Sequence, residues 1–277
     1  MNCENEKIIL IITGCINPNP NQGYLVLKNV EKRLKQYIES ITFYIEKSPF
    51  KKIVFCDNSN YKYEEVSYLK ELAQQNGKIF EWLKFKGDDQ EVVKYNNKGI
   101  GEDEIMDYIC THSQLYAEAD SFVKITGRLL LININELMTS AVFGKNYFYR
   151  DIYRGKDTKG LDTRFFIISK KTYEKKIRKC YDRVSKKICY ENAFFQLIDN
   201  DYLLLNAYPH FIGQSSGNGR DYGKTKSTYI HILDFLCEKN LFNKYFPVFL
   251  LSLRIKNKLT KVFFKRKDKE ESFKAFK

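Results

Sequence analysis

The residue types best suited to chemistry lie close together in the segment NNKGIGEDEIMDYICTHSQLYAEADSFVKITGRLLLIN. Gly99 and Gly101 predict a tight turn in which the backbone can approach a ligand, and the acidic residues after them suit the positive first turn of a helix. The sequence SFVKIT then changes to the β-branched and aromatic types of a strand. Lys124 and Arg128 are candidate ligands for an anion, although many α/β proteins end a buried strand in arginine without such a role.

The order of these motifs resembles that of small bacterial GT-A glycosyltransferases of surface-polysaccharide assembly, such as capsule, lipopolysaccharide or O-antigen. KGIGEDEIMDY and FVKITGR carry the resemblance, which covers about residues 7–222. In that family a glycine turn and a helix lead into a central strand beside the diphosphate of a nucleotide sugar. The resemblance therefore implies that Gly99 and Gly101 contact the nucleotide, and that Lys124, Thr126 and Arg128 bind the diphosphate.

The residues after this strand depart from the family in one respect that concerns metal. Members of the wider fold often end the strand in Asp-x-Asp, which holds a divalent metal on the diphosphate, whereas this chain has Thr126-Gly127-Arg128. We therefore predict no metal site and no cofactor, with Mn²⁺ or Mg²⁺ as the less favoured alternative. Asp88 and Asp89 are the acidic pair that a metal would use, but they equally suit the N-terminus of a helix.

A Gly- and Ser-rich loop at 209–226 offers the positive charge that a metal-free site needs. Its glycines permit close approach of the backbone, and we predict that Arg220, Tyr222 and Lys224 bind the diphosphate. Closure of the loop would bring these residues to the departing nucleotide. The pattern is not specific, and a flexible linker is the alternative.

Two acidic residues are candidates for the general base. Inverting GT-A enzymes commonly use one carboxylate on a helix beside the acceptor, and such a base must reach the acceptor hydroxyl and stay ionised near neutral pH. Glu191 lies near the start of a predicted helix among apolar residues, and Asp162 precedes a predicted strand at 165–168. A helix-terminal charge paired with a lysine is the alternative for Glu191.

Two apolar runs predict strands of a parallel sheet whose ends position further polar residues. Residues 7–13 form a β-branched run typical of a strand buried on both faces. The polar residues after it lie at its carboxyl end, where open α/β sheets bind their ligands. We predict nucleotide contacts from Thr13 and Asn17, with plain turn formation as an equal alternative.

The second of these runs, at 52–56, leads into Asp57, Asn58 and Ser59. An acidic residue at this place in a nucleotide-binding unit can accept hydrogen bonds from a base or a ribose. We therefore predict that these three residues contact the nucleotide. The alternative is an Asx-turn that caps the next helix.

Composition limits the classes of protein that the chain can belong to. Its 277 residues, 43% of them hydrophobic, can fill a sizeable core. The seven cysteines are scattered without a CxxC pair, which argues against a disulfide framework and a zinc site. No stretch approaches the ~20 apolar residues of a membrane-spanning helix, and the N-terminus is unlike a signal peptide, so we expect a cytoplasmic protein.

The positive charge is concentrated at the end of the chain. Residues 244–277 contain eleven Lys or Arg and three Asp or Glu, which is +8 of the net charge of +13. We therefore predict a domain at 1–240 and a basic amphipathic extension at 241–277 that lies on the anionic inner leaflet of the membrane. Docking of this extension on its own domain, or on a second subunit of a homodimer, is the alternative.

Taken together, these features predict an α/β, GT-A-like fold with a Rossmann-like, mainly parallel sheet flanked by helices and followed by the basic helical extension. The function that we infer is transfer of a sugar from a nucleotide-sugar donor to a glycan or lipid-linked acceptor, inverting and metal-independent. A nonenzymatic nucleic-acid-binding module is the rival, but buried strands explain most of the aromatic residues, so we expect no nucleic-acid partner. A nucleotidyltransferase is the second alternative.

Overall fold

The computed structural model describes residues 7–21, 25–95, 98–149, 151–153, 159–185, 188–214, 219 and 221–222. The strands are β1 (Ile8–Gly14), β2 (Lys52–Asp57), β3 (Ile79–Lys84), β4 (Ser121–Thr126), β5 (Leu129–Leu131), β6 (Tyr147–Phe148), β7 (Asp151–Tyr153), β8 (Lys159–Leu161), β9 (Phe165–Ser169), β10 (Leu203–Leu204) and β11 (Phe211–Gly213). The helices are α1 (Val30–Lys47), α2 (Val66–Gln75), α3 (Asp89–Tyr95), α4 (Lys98–His112), α5 (Gln114–Glu118), α6 (Ile134–Ser140), α7 (Lys170–Thr172) and α8 (Tyr190–Ile198). A π-helical turn, Tyr173–Ile177, continues α7, and a 3₁₀ turn, Cys180–Arg183, follows it.

The central sheet has seven strands in the order β10-β6-β9-β4-β1-β2-β3. β1 pairs in parallel with β2 and β4, and β2 pairs in parallel with β3. β9 is antiparallel to both β4 and β6, and β10 is parallel to β6. The sheet is therefore mixed but mainly parallel, which confirms the prediction from the apolar runs.

Helices cover both faces of the sheet because successive residues of a strand point to opposite sides. Leu10 and Ile12 of β1 pack in one cluster with Ile41 of α1, whereas Ile9 and Ile11 pack in a second cluster with Met106 of α4 and Phe194 of α8. Every residue of β1 is buried. The fold is α/β with a Rossmann-like sheet flanked by helices, as the sequence predicted.

The strand order places a crevice at the carboxyl ends of β1 and β4. After β1 the chain continues to β2 on one side of the sheet, and after the helices that follow it returns to β4 on the other side of β1. Such a reversal separates the loops above the two strands, and open α/β sheets bind their ligands at this point.

One local prediction is wrong. Gly99 and Gly101 were expected in a tight turn, but both belong to the beginning of α4. A Cβ on Gly101 would lie 3.0 Å from Nδ2 of Asn58, so the missing side chain lets the helix approach the end of β2. Gly101 therefore permits close packing of α4 against the end of β2.

Part of the chain lies outside the described residues. In the described ranges no helix combines the length and apolarity needed to cross a membrane. The predicted extension at 241–277 is not among the described residues, so the boundary at residue 240 stays a prediction.

Candidate functional site

A cleft lies at the carboxyl ends of β1 and β4 and holds roughly 1100 Å³ of atom-free space, including its open mouth. Seven of the residues singled out in the sequence line it: Thr13, Asn58, Gly101, Thr126, Arg128, Glu191 and Tyr222. Residues from five separate parts of the sequence that were predicted to act together are therefore brought to one cleft.

Gly127 joins the two strand ends at the floor of this cleft. Its N–H donates to the carbonyl oxygen of Thr13 at 2.9 Å, which holds the end of β4 against the end of β1. A Cβ at this position would lie 2.5 Å from that oxygen and 2.6 Å from the ring of Tyr37. Only glycine fits, and the next residue, Arg128, is thereby fixed beside Tyr37.

Arg128 is buried in the cleft wall under three unfavourable conditions. Its backbone is left-handed, with φ of 66°, its side chain is only 6% exposed, and among the described residues its Nε has no hydrogen-bond partner. Nη1 donates to Oε1 of Gln36 at 2.9 Å, and the guanidinium lies 5.8 Å from the centroid of the Tyr37 ring. Burial lowers the pKa of Arg128, which reflects the cost of keeping this charge away from water.

Arg33 is a second buried arginine of the cleft, and sequence reasoning missed it. It is 3% exposed and donates from Nε and Nη2 to the carbonyl oxygen of Cys15 and from Nη1 to that of Leu27. Its guanidinium lies 5.9 Å from the centroid of the Tyr37 ring. The available signal was its spacing, because Arg33 precedes Tyr37 by one helical turn in α1 and so shares the buried face of that helix.

Neither of these arginines has a carboxylate partner in the described part of the chain. A buried charge without a partner costs several kcal/mol, so proteins seldom keep one. Strained backbone and unpaired buried charge are typical of ligand sites, where the ligand supplies what is missing. The pair Arg33 and Arg128 therefore makes the cleft a candidate site for an anion.

Lys124 lies beneath the cleft floor, where it is 1% exposed. Its ammonium donates to Oε1 of Glu102, to Oγ1 of Thr126 at 3.0 Å and to the carbonyl oxygen of Thr163 at 2.8 Å. Direct binding of a diphosphate by Lys124 stays a prediction, but these contacts show a structural role for it. The same ion pair holds Glu102, which sequence reasoning read only as a helix-terminal charge.

Asp57 organises the loops beside the cleft and does not line it. Oδ1 accepts from the N–H of Ile16 at 2.8 Å, Oδ2 accepts from the N–H of Tyr61 at 2.8 Å, and the Ser59 hydroxyl donates to both oxygens. Burial raises the pKa of Asp57, although these hydrogen bonds act in the opposite direction. Asp57 therefore stabilises the loops after β1 and β2, but it does not cap the next helix, because α2 follows Glu65 without a side-chain cap. Contact of Asp57 with a nucleotide stays a prediction.

The remaining residues predicted to bind the nucleotide divide into two groups. Asn58 lines the cleft, donates from Nδ2 to the carbonyl oxygen of Gly101 at 3.3 Å, and has no hydrogen-bond partner for Oδ1 among the described residues. Asn17, Ser59 and Gly99 do not line the cleft. The Asn17 N–H donates to the Ser59 hydroxyl at 2.9 Å, so this pair stabilises the loop after β1.

The lining of the cleft also includes the candidate base and an arginine held among aromatic rings. Glu191 lies in the first turn of α8, lines the cleft and is partly exposed. Asp162 is buried and binds Arg164, with Nε to Oδ1 at 2.9 Å and Nη2 to Oδ2 at 2.5 Å. Arg164 also lies 5.0 Å from the centroid of the Tyr222 ring. Glu191 is therefore placed at the cleft as a base must be, whereas Asp162 is engaged by an arginine.

Acidic side chains also line the cleft, so it carries charges of both signs. Asp88, Glu102 and Glu104 are among them, in addition to Glu191. Within the described ranges, however, no three His, Cys, Asp or Glu side chains are grouped so that they could hold a metal ion. Arg220 and Lys224, which we predicted to bind the diphosphate, lie outside the described residues.

No protein-family model matches the chain, and no curated protein matches it. Two solved structures of the glycosyltransferase GlyE from Streptococcus pneumoniae TIGR4 are similar to it. One is 11% identical with a TM-score of 0.45, and the apo form is 12% identical with a TM-score of 0.46. The similarity covers 72% of this chain and 45% and 44% of the two GlyE chains, so this chain spans less than half of their length.

Proposed function

We propose that this protein transfers a glycosyl group from a nucleotide-sugar donor to a hydroxyl of a glycan or lipid-linked acceptor. One observation carries the proposal: two buried arginines without carboxylate partners in the described chain line a cleft at the point where the strand order reverses. Phosphate groups are the anions that nucleotide-binding α/β sheets hold at this point. A nucleoside diphosphate would supply the negative charge that Arg33 and Arg128 lack.

In this proposal the diphosphate of the donor lies against Arg128. The guanidinium presents N–H groups in a planar fork that suits phosphate oxygens, and its Nε, which has no partner among the described residues, is our candidate donor to one of them. Tyr222 lies on the same cleft, and we propose that Arg220 and Lys224 complete the diphosphate site. Asn58, whose amide oxygen has no partner in the described ranges, is our candidate for contact with the nucleoside.

We propose that the reaction needs no divalent metal. The residues Thr126-Gly127-Arg128 support this proposal, because they present no carboxylate to a metal and carry a cation instead. When the bond between the anomeric carbon and the diphosphate breaks, its electron pair moves to the diphosphate oxygen. Fixed positive charge aimed at that oxygen stabilises the transition state in the way that a metal would.

The acceptor side of the reaction is assigned to Glu191. The acceptor oxygen attacks the anomeric carbon while its proton passes to the Glu191 carboxylate, which is therefore the general base. Attack from the face opposite the diphosphate inverts the anomeric centre. Asp162 is the second candidate for this role, but its salt bridge with Arg164 makes its carboxylate less available.

The wider setting that we propose is bacterial surface-polysaccharide synthesis by an enzyme of GT-A type. The charge of +8 at 244–277 suits binding to the anionic inner leaflet of the membrane, where a lipid-linked acceptor would be found. Association as a homodimer through the same segment is the alternative use of its apolar residues.

The test of the proposed function is binding of nucleotides to the full-length protein. Thermal-shift measurements would compare UDP, GDP, CDP and their hexose derivatives, each with and without EDTA, for wild type, Arg128→Gln and Arg183→Gln. Arg183 is an exposed arginine outside the cleft and serves as the matched control. We expect one nucleotide series to stabilise wild type and the control but not Arg128→Gln. Failure of every nucleotide to stabilise wild type would contradict the proposal.

A further inference from the structure

The carboxylate of Glu102 is held in an unusual way on the cleft floor. Its Oε1 accepts three hydrogen bonds: one from the Lys124 ammonium, one from the Thr13 hydroxyl at 3.3 Å and one from the Thr126 hydroxyl at 3.2 Å. Thr13 and Thr126 are register partners at the ends of β1 and β4, so Glu102 bridges the two strands. All of the hydrogen bonds that fix this side chain therefore converge on one oxygen.

The other oxygen of Glu102 is left to the cleft. Oε2 has no hydrogen-bond partner in the part of the chain that the structure describes, and the side chain, which lines the cleft, remains 18% exposed. A carboxylate that is fixed at one oxygen and open at the other is preorganised for binding, because its rotamer is already set before a ligand arrives.

The chemistry of this oxygen favours a hydrogen bond to a hydroxyl group over proton transfer. Lys124 balances the charge of Glu102, and two threonine hydroxyls further satisfy it, so the carboxylate is stabilised as an anion. An ionised carboxylate can only accept hydrogen bonds, and the neutral donors that a nucleotide sugar offers near its diphosphate are hydroxyls. A phosphate oxygen at Oε2 would be repelled.

We propose that Glu102 is a specificity residue that accepts, through Oε2, a hydrogen bond from a hydroxyl adjoining the diphosphate of the donor. The proposal rests on the proposed function, since it assigns a contact within the same cleft. The hydroxyl belongs either to the ribose or to the transferred sugar, which share this chemistry. In either case Glu102 reads the ligand directly, and Lys124 is the positioning residue that holds it.

The test measures how much each hydroxyl-bearing part of the ligand adds to the affinity. Isothermal titration would use the uridine, guanosine or cytidine series that stabilises wild type most, in three forms: the 2′,3′-dideoxynucleoside diphosphate, the nucleoside diphosphate and its glucose derivative. The variants are Glu102→Gln and the double variant Glu102→Gln/Lys124→Met. The double variant removes both charges of the buried pair and so avoids leaving Lys124 unpaired. Glu46→Gln, at an exposed carboxylate of α1, is the control.

Affinity can increase in two steps, from the dideoxynucleoside diphosphate to the nucleoside diphosphate and from that to the glucose derivative. We expect one of these two increments to fall about tenfold in both Glu102 variants and to stay unchanged in the control, because hydrogen bonds to charged groups are the strong ones. A loss in the step from dideoxy to ribose assigns the hydroxyl to the ribose, and a loss in the step to the glucose derivative assigns it to the sugar. Equal weakening of all three ligands would show a purely structural role, and unchanged binding would show none, so either overturns the inference. Absence of binding to wild type would overturn the proposed function itself.

Discussion

Replacement of Arg128 by glutamine distinguishes a binding role from a structural one. The affinity for the nucleotide and the free energy of unfolding should change differently. The substitution removes a positive charge that is 6% exposed and has no carboxylate partner in the described residues. It also removes the hydrogen bond to Gln36 and the contact with the Tyr37 ring. The left-handed backbone is common to both side chains, so its cost does not change.

The size of each effect follows from these contacts. Loss of the hydrogen bond costs about 1 kcal/mol and loss of the cation–π contact about 0.5–2 kcal/mol. Removal of a buried charge relieves a penalty of several kcal/mol in the free protein, so the free energy of unfolding should stay within about 1–2 kcal/mol of wild type. A hydrogen bond from a charged donor to phosphate contributes roughly 1.5–3 kcal/mol, which is about a 10- to 100-fold loss of affinity for the nucleotide.

The assay combines urea unfolding of the free protein with titration of the nucleotide that binds best, for wild type, Arg128→Gln and the exposed control Arg183→Gln. We expect the variant to unfold near the wild-type midpoint and to bind the nucleotide at least tenfold more weakly. Wild-type affinity in a folded variant would refute the assignment of Arg128. A variant that unfolds several kcal/mol more easily would instead show that the arginine is structural.

Three further predictions concern the base, the metal and the pH dependence of stability. Glu191→Gln should lower kcat on the order of 10²–10⁴-fold in a donor-turnover assay while nucleotide affinity is retained, and near-normal turnover would exclude Glu191 as the base. Turnover should persist in excess EDTA, whereas full loss that Mn²⁺ restores would show that a metal takes part. Burial, with Lys51 nearby, lowers the pKa of Lys78 from 10.5 to about 8. Because the unfolded chain then binds more protons in this range, Lys78 should make stability rise as the pH increases from about 8 to 10.5, and Lys78→Met should remove that part of the rise in paired thermal melts.

The parts of the fold that the sequence predicted correctly are those set by local pattern. Residues 8–12 are all apolar, and a strand of that kind is stable only when both faces are covered. The same reasoning applies to the apolar runs of β2 and β9. Gly99 and Gly101 were placed wrongly because glycine predicts a turn in isolation, whereas both lie in α4. At Gly101 the packing of α4 against Asn58 uses the missing side chain.

The parts of the site that the sequence did not predict depend on contacts between distant residues. Arg33 was overlooked because a charged residue in a helix is most often exposed, and only the surroundings of Tyr37 and Cys15 show that it is buried. Glu102 was read as a favourable charge at a helix N-terminus, since nothing local links it to Lys124 or Thr13. Residue types therefore located the cleft, but the pairing of charges within it required the three-dimensional structure.

The central claim is that the cleft between the ends of β1 and β4 binds the diphosphate of a nucleotide sugar. The most direct measurement is a crystal structure of the full-length protein with the nucleoside diphosphate that stabilises it most. We expect phosphate oxygens within hydrogen-bond distance of the Arg128 guanidinium, with the nucleoside on the side of Asn58. A diphosphate bound elsewhere, or a nucleotide whose phosphates do not contact Arg128, would contradict the claim.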